Sequence, residues 1–239
     1  MQNEILILCA AAASIGFFHT ITGPDHYLPF IAMSKARDWS IKKTFFITVL
    51  CGIGHVLGSI VLGLIGILLG IIVEHLELFE EIRGNIAAYL LIGFGFLYCI
   101  WGIYKAIKNK PHIHAHVHVD NTIHSHGHTH KKEHVHVHLN KKKNITPWIL
   151  FTIFVFGPCE PLIPLLIYPA AKINIAGVII VASVFSIITI ITMTAITMIT
   201  VHGLSFLKHF HLERFDRYTH ALAGGTIFLS GIAIQFLGL

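Results

Sequence analysis

Long apolar runs separated by short polar gaps dominate the chain. A helix needs roughly 20 apolar residues to cross the hydrocarbon core of a bilayer. Six runs reach that length, at about 4–33, 44–73, 85–107, 147–170, 173–203 and 218–238. The second is the cleanest, with no Asp, Glu, Lys or Arg between Thr44 and Val73. The pattern predicts an all-α polytopic membrane protein with six transmembrane helices. Two runs carry breaks. The first contains Gly23-Pro24-Asp25-His26, and the fourth contains Gly157-Pro158 followed by Pro161 and Pro164. Proline removes a backbone donor and clashes with the preceding turn. Helices 1 and 4 are therefore expected to be broken, which a membrane tolerates where protein or a polar cavity covers the opened backbone. Three runs separate the two breaks, and an odd shift reverses membrane direction. The halves thus predict a 3+3 inverted repeat, an arrangement that places substrate sites near the midplane.

Composition removes the soluble alternative. Hydrophobic residues make up 54% and charged residues 12%, and mean hydropathy is +0.73. A soluble domain carries about 25% charge, so too little is present to build a polar surface. The net charge of +5 does not point to nucleic acid, because the basic residues fall in the gaps between runs. Fifteen of the 17 lie in gaps 1–2, 3–4 and 5–6 or, for Lys105, at the edge of one; Arg83 and Lys172 are the exceptions. Basic loops stay in the cytoplasm, so a plasma or inner membrane protein with both termini outside is expected. The first run lacks a basic leader and reads as a retained helix. The expected organisation is a first three-helix repeat at 1–108, a cytoplasmic loop at 109–146 and a second repeat at 147–239. Cys9, Cys51, Cys99 and Cys159 lie in or beside apolar runs with no CxxC pair, which argues against a disulfide framework.

Ionisable residues within the runs are costly and face a pathway or a partner. They are His19, Asp25 and His26 in run 1, His55 in run 2, and Glu160 in run 4, beside Cys159. His55 and Cys159 lie about 11 and 12 residues into their runs, roughly 16–18 Å deep and near the midplane. Imidazole suits nickel, cobalt, zinc and copper, and thiolate favours softer metals. Asp25 or Glu160 would offset the charge of a dication. Cys9, Cys51 and Cys99 read as packing residues. Gly54 and Gly58 form a GxxxG pair suited to close helix approach. Thr192, Thr194, Thr197 and Thr200 either line a path or bond to carbonyls one turn back. His202 and Ser205 stand at the cytoplasmic end of run 5 as a possible second site.

Eleven of the 19 histidines fall between His112 and His138. Much of this stretch alternates histidine with another residue. It is polar, low in complexity and flanked by lysines, so it reads as mobile. Histidine-rich tracts bind metal, and flexible spacing suits capture, buffering or sensing.

His19-Thr20-Ile21-Thr22-Gly23-Pro24-Asp25-His26 resembles the first signature of the nickel/cobalt transporter superfamily, including its exporter and urease-accessory-like branches. The spacing here is His-x5-Asp-His, whereas the importers of that superfamily carry His-x4-Asp-His. Gly54-His55-x2-Gly58-Ser59 looks like its second helix motif, and the histidine loop looks like that of its exporters. The resemblance implies divalent metal transport with His19, Asp25, His26 and His55 in coordination. Gly157-Pro158-Cys159-Glu160-Pro161 resembles a motif of the related membrane thiol-reductant transporters of cytochrome c maturation, which have two three-helix repeats with a cysteine in each. Here the counterpart of Cys159 in run 1 is Asp25.

The expected function is therefore secondary transport of a divalent metal ion, nickel or cobalt first, with iron, manganese or zinc as alternatives. A membrane metallochaperone acting through the loop, or a thiol/electron-transfer protein, are the competing classes. No enzyme motif is visible: HExxH is absent, and Glu133-His134 stands in the loop. No cofactor is expected beyond the transported metal. The expected partners are that ion, the lipid bilayer and a cytoplasmic metallochaperone or metalloenzyme.

Overall fold

A computed structural model describes residues 2–70, 73–108, 112–117, 123–128, 145–157, 159, 161–172, 174–207 and 217–237. The membrane body is all-helical. Its elements are α1 (Gln2–Thr22), α2 (Leu28–Ala36), α3 (Ile41–Leu69), α4 (Val73–Lys108), α5 (Thr146–Phe156), α6 (Leu162–Ala171), α7 (Ile175–Leu207) and α8 (Thr219–Leu237). Among the described residues five helices are long and apolar enough to cross a membrane: α1, α3, α4, α7 and α8. Two shorter apolar helices, α5 and α6, accompany them.

Burial is inverted relative to a soluble protein. Phe46, Leu97 and Ile191 are more than half exposed, while Thr48, His55, Glu80 and Thr197 are buried. Only an apolar solvent makes that arrangement favourable. The chain is a multi-pass membrane protein.

Both expected breaks are present, and they share one cause. A residue before proline is pushed out of the helical region towards extended backbone. Gly23 sits at φ −85°, ψ 99° before Pro24, and Gly157 at φ −59°, ψ 135° before Pro158. The first break is bridged by a single tight turn, Pro24–His26. Two further ends are set by left-handed residues. Asp38 (φ 46°) closes α2, with the Trp39 N–H donating to the Ser34 carbonyl at 3.0 Å, and Gly70 (φ 61°) follows α3.

Two expectations change. Run 3 was placed at about 85–107, yet α4 begins at Val73. Glu80 and Arg83 do not stop the helix because they pair with each other inside the protein. The loop read as mobile contains two short strands, β1 (His112–Val117) and β2 (Ile123–His128). They pair antiparallel with His112 opposite His128, His114 opposite His126 and His116 opposite His124. Strict alternation with β-branched Ile113, Val117 and Ile123 suits a pleated ladder. The other five loop histidines lie outside the described residues.

The helices pack as α4 on α8, α1 on α7, α3 between α5 and α7, and α2 on α8. One core cluster gathers Phe30, Met33, Leu91, Tyr98, Phe154 and Ile227. A second gathers Ala12, Val56, Cys159, Leu162, Val181 and Phe185. The polar site lies by the two breaks, with α3 beside it.

Candidate metal site

The first break creates the site. Because α1 stops at Thr22, His19 lies on its last turn and His26 on the tight turn beyond. The two rings meet edge to face at 4.8 Å between centroids. His55, midway along α3, meets His26 the same way at 5.0 Å. Each histidine offers one ring nitrogen, and the three lie within 4.8 Å of one another. Metal–imidazole bonds of about 2.0–2.1 Å set ligand nitrogens roughly 3–4 Å apart, so a small inward movement would close the trio on an ion.

The second nitrogen of His26 is tied down. Its Nδ1 lies 3.0 Å from the Gly23 carbonyl and 3.0 Å from Asp25 Oδ1. A single N–H serves one acceptor well. The carbonyl takes the hydrogen bond, and the carboxylate is its electrostatic neighbour. This fixes the tautomer with Nε2 bare, the second-shell arrangement that orients metal-binding histidines. His55 has the Phe154 carbonyl as its backbone partner. The Nε2 atoms of His19, His26 and His55 are buried without a hydrogen-bond partner. Orphaned buried polar atoms are rare and call for an explanation.

Two glycines let the backbone close round the rings. A Cβ on Gly23 would lie 2.5 Å from His26 Nδ1, and one on Gly157 would lie 2.8 Å from His55 Nδ1. A cavity of about 30 Å³ touches Asp25, His55, Gly157, Ala87 and Ala88. Of the three histidines it touches only His55.

The six residues expected from sequence do not all meet. His19, His26 and His55 converge, with Asp25 beside them. Cys159 is fully buried in the second apolar cluster rather than in the trio, and its backbone N–H is bound by Glu80 and Ser59. Glu160 lies outside the described residues, as does the Ser205 side chain. Thr194 and Thr197 on α7 and Thr48 on α3 hold buried hydroxyls without partners, whereas Ser186 and Thr20 bond back one turn. Sequence reasoning missed Glu80 and Arg83, assigning both to an outer loop region. The available signal was their i,i+3 spacing at the start of an apolar run.

Residues 28–233 match the family model described as cytochrome C biogenesis protein transmembrane region. Neither the curated proteins nor the solved structures return a match.

Proposed function

The chain belongs to the cytochrome C biogenesis protein transmembrane region family, and from that premise we propose that it is a secondary carrier for a divalent transition-metal ion, nickel or cobalt first. The observation that carries this reading is the histidine trio: one ring nitrogen from each lies within 4.8 Å of the others, and the Nε2 atom of each is buried without a partner. Three neutral imidazoles suit borderline metals such as nickel, cobalt, zinc and copper better than calcium or magnesium. The Asp25 carboxylate supplies one compensating negative charge in a region that otherwise penalises a dication. The nickel/cobalt transporter resemblance, carried by the same four residues, favours those two ions.

In this reading α1 with α2, and α5 with α6, each form one broken crossing, which makes six crossings and two inverted halves. The packing supports the exchange of halves. α1 rests on α7 as α5 rests on α3, and α2 touches α7 as α6 touches α3. The basic gaps support termini outside and the histidine loop in the cytoplasm. Thr48, Thr194 and Thr197 then lie on the cytoplasmic side of His55. Their unpartnered hydroxyls offer a polar route between the trio and that side. Binding requires each ligand nitrogen to be free of its proton, so metal and protons compete for the same sites.

The family match gives a thiol-transfer reading its own support, since Cys159 stands at the second break. A relay needs a second sulfur. None of the four cysteines is disulfide-bonded, Cys51 belongs to the other core cluster, and Asp25 occupies the matching place in the first half.

The test is uptake into proteoliposomes loaded with a metal-sensitive dye. The purified protein should raise nickel or cobalt entry well above that of empty vesicles, and Cys159→Ser should leave uptake intact. If no divalent metal moves and none binds the purified protein, the carrier reading is wrong. If Cys159→Ser alone abolishes activity, the thiol reading replaces it. Removing residues 109–144 should change apparent affinity or rate while uptake survives. Loss of both uptake and core-site binding would show that the loop, as in a metallochaperone, does the binding.

A further inference from the structure

The second break is held by an ion pair that the metal site does not use. Glu80 is fully buried and Arg83 partly buried, with 18% of its side chain exposed. The Arg83 Nη1 group donates to Glu80 Oε1 in a short contact. Arg83 Nη2 donates to the carbonyls of Val155 at 3.0 Å and Gly157 at 3.2 Å. Val155 is in the last turn of α5 and Gly157 is its C-cap, where carbonyls lack helical partners. On the other side of the break, the Cys159 N–H donates to Glu80 Oε2 at 3.1 Å and lies 3.2 Å from Ser59 Oγ. Ser59 itself donates to Glu80 Oε2 at 3.0 Å. The cation therefore sits on the C-terminal end of α5 and the anion on the approach to α6, each matched to the local helix dipole.

Place gives this cluster its meaning. Ser59 lies one turn beyond His55 on α3, about 6 Å along the axis, towards the α3–α4 connection. Gly157, which Arg83 holds, abuts the His55 ring. The guanidinium reaches it only because residue 58 is glycine: a Cβ there would lie 2.6 Å from Arg83 Nη2 and 2.9 Å from the Val155 carbonyl. We propose that Arg83, braced by Glu80 and Ser59, is a latch that pins the second break against α3 and α4 and so closes the histidine site on the side of the α3–α4 connection. Arg83 is a positioning residue. It touches none of the three histidine nitrogens, and it acts through Val155 and Gly157. Opening towards that side breaks its two carbonyl bonds and uncovers Cys159. The latch rests on the carrier reading only for what passes through the opening.

Cys159 is the reporter. In a Cys9→Ala, Cys99→Ala background two buried thiols remain, Cys51 at 1% and Cys159 at 0% exposure. The full chain in lipid nanodiscs is treated with a hydrophilic maleimide, and labelling at each site is read by peptide mass spectrometry. Arg83→Gln should raise the Cys159 labelling rate at least tenfold and leave Cys51 unchanged. Gly58→Ala, which keeps the charges but crowds the guanidinium, should do the same. Glu80→Gln, which retains the acceptor for Cys159 N–H, should give a smaller rise. Cys159 remaining as protected in Arg83→Gln and Gly58→Ala as in the parent overturns the latch. So does a parallel rise at Cys51, because Arg83 would then merely hold the fold together. The readout needs no metal. Exposure of Cys159 in a protein that carries no metal leaves the latch standing and removes only the carrier reading.

Discussion

His26→Ala should weaken nickel or cobalt binding by more than about 100-fold, the upper end of what loss of a supporting residue does at a metal site. The reason is its central position. Its ring contacts both His19 and His55, and its Nδ1 is held at the Gly23 carbonyl. Alanine removes one ligand and leaves the other two with nothing between them. His55→Ala should behave alike. Asp25→Asn retains the shape and loses the charge, so a smaller fall of about 10-fold or more is expected, within the range of a second-shell change. Calorimetric titration of the purified protein measures all three, with His220→Ala as a control, since His220 bonds Tyr98 and Lys105 away from the trio. Equal, mild effects at His26 and His220 would mean that the trio is an interhelical contact and nothing more.

The largest structural effect is expected at Gly224. A Cβ there would overlap the backbone N and Cα of Cys99 on α4. Gly102 meets the Ala221 backbone and Gly95 the Phe228 backbone in the same way. The obstacles are main chain, which cannot swing aside, so α4 and α8 would have to separate along their whole contact. Gly224→Leu should cost more than about 3 kcal/mol, beyond the usual range for overpacking. It should be seen as a large fall in the melting temperature of the detergent-solubilised protein. Gly225→Ala is the matched control, because its nearest neighbour would be the Cys99 sulfur at 4.0 Å. A Gly224→Leu protein as stable as Gly225→Ala would mean that the helices approach less closely than the structure shows.

The GxxxG pair at Gly54 and Gly58 illustrates how sequence and structure divide the work. Close approach was expected there and is found, against Phe151, Val155 and Arg83. The tighter α4–α8 contact was not expected. Its glycines stand seven apart, at 95 and 102 and at 224 and 231, and nothing local says that these two helices are neighbours. The histidine loop shows the converse. Its polarity suggests a mobile segment, yet the histidine alternation suits a strand, and residues 112–117 and 123–128 pair as strands.

The membrane class, the long apolar helices and both breaks are legible along the chain. These depend on local properties: apolar length, low charge, and the extended backbone that Pro24 and Pro158 impose on the glycine before each. His19, Asp25, His26 and His55 are legible too, because ionisable groups within apolar runs are conspicuous. Which of those groups meet depends on how the helices pack. Three histidines converge because α1 stops where α3 passes. Cys159, at a depth judged similar to that of His55, turns instead into an apolar cluster. Glu80 and Arg83 looked like loop charges and became the interior of the second break. A charge within an i,i+3 pair reads the same whether it faces water or a severed helix. What distinguishes the cases is the set of unpartnered backbone groups brought opposite it, and those come from residues more than 70 positions away.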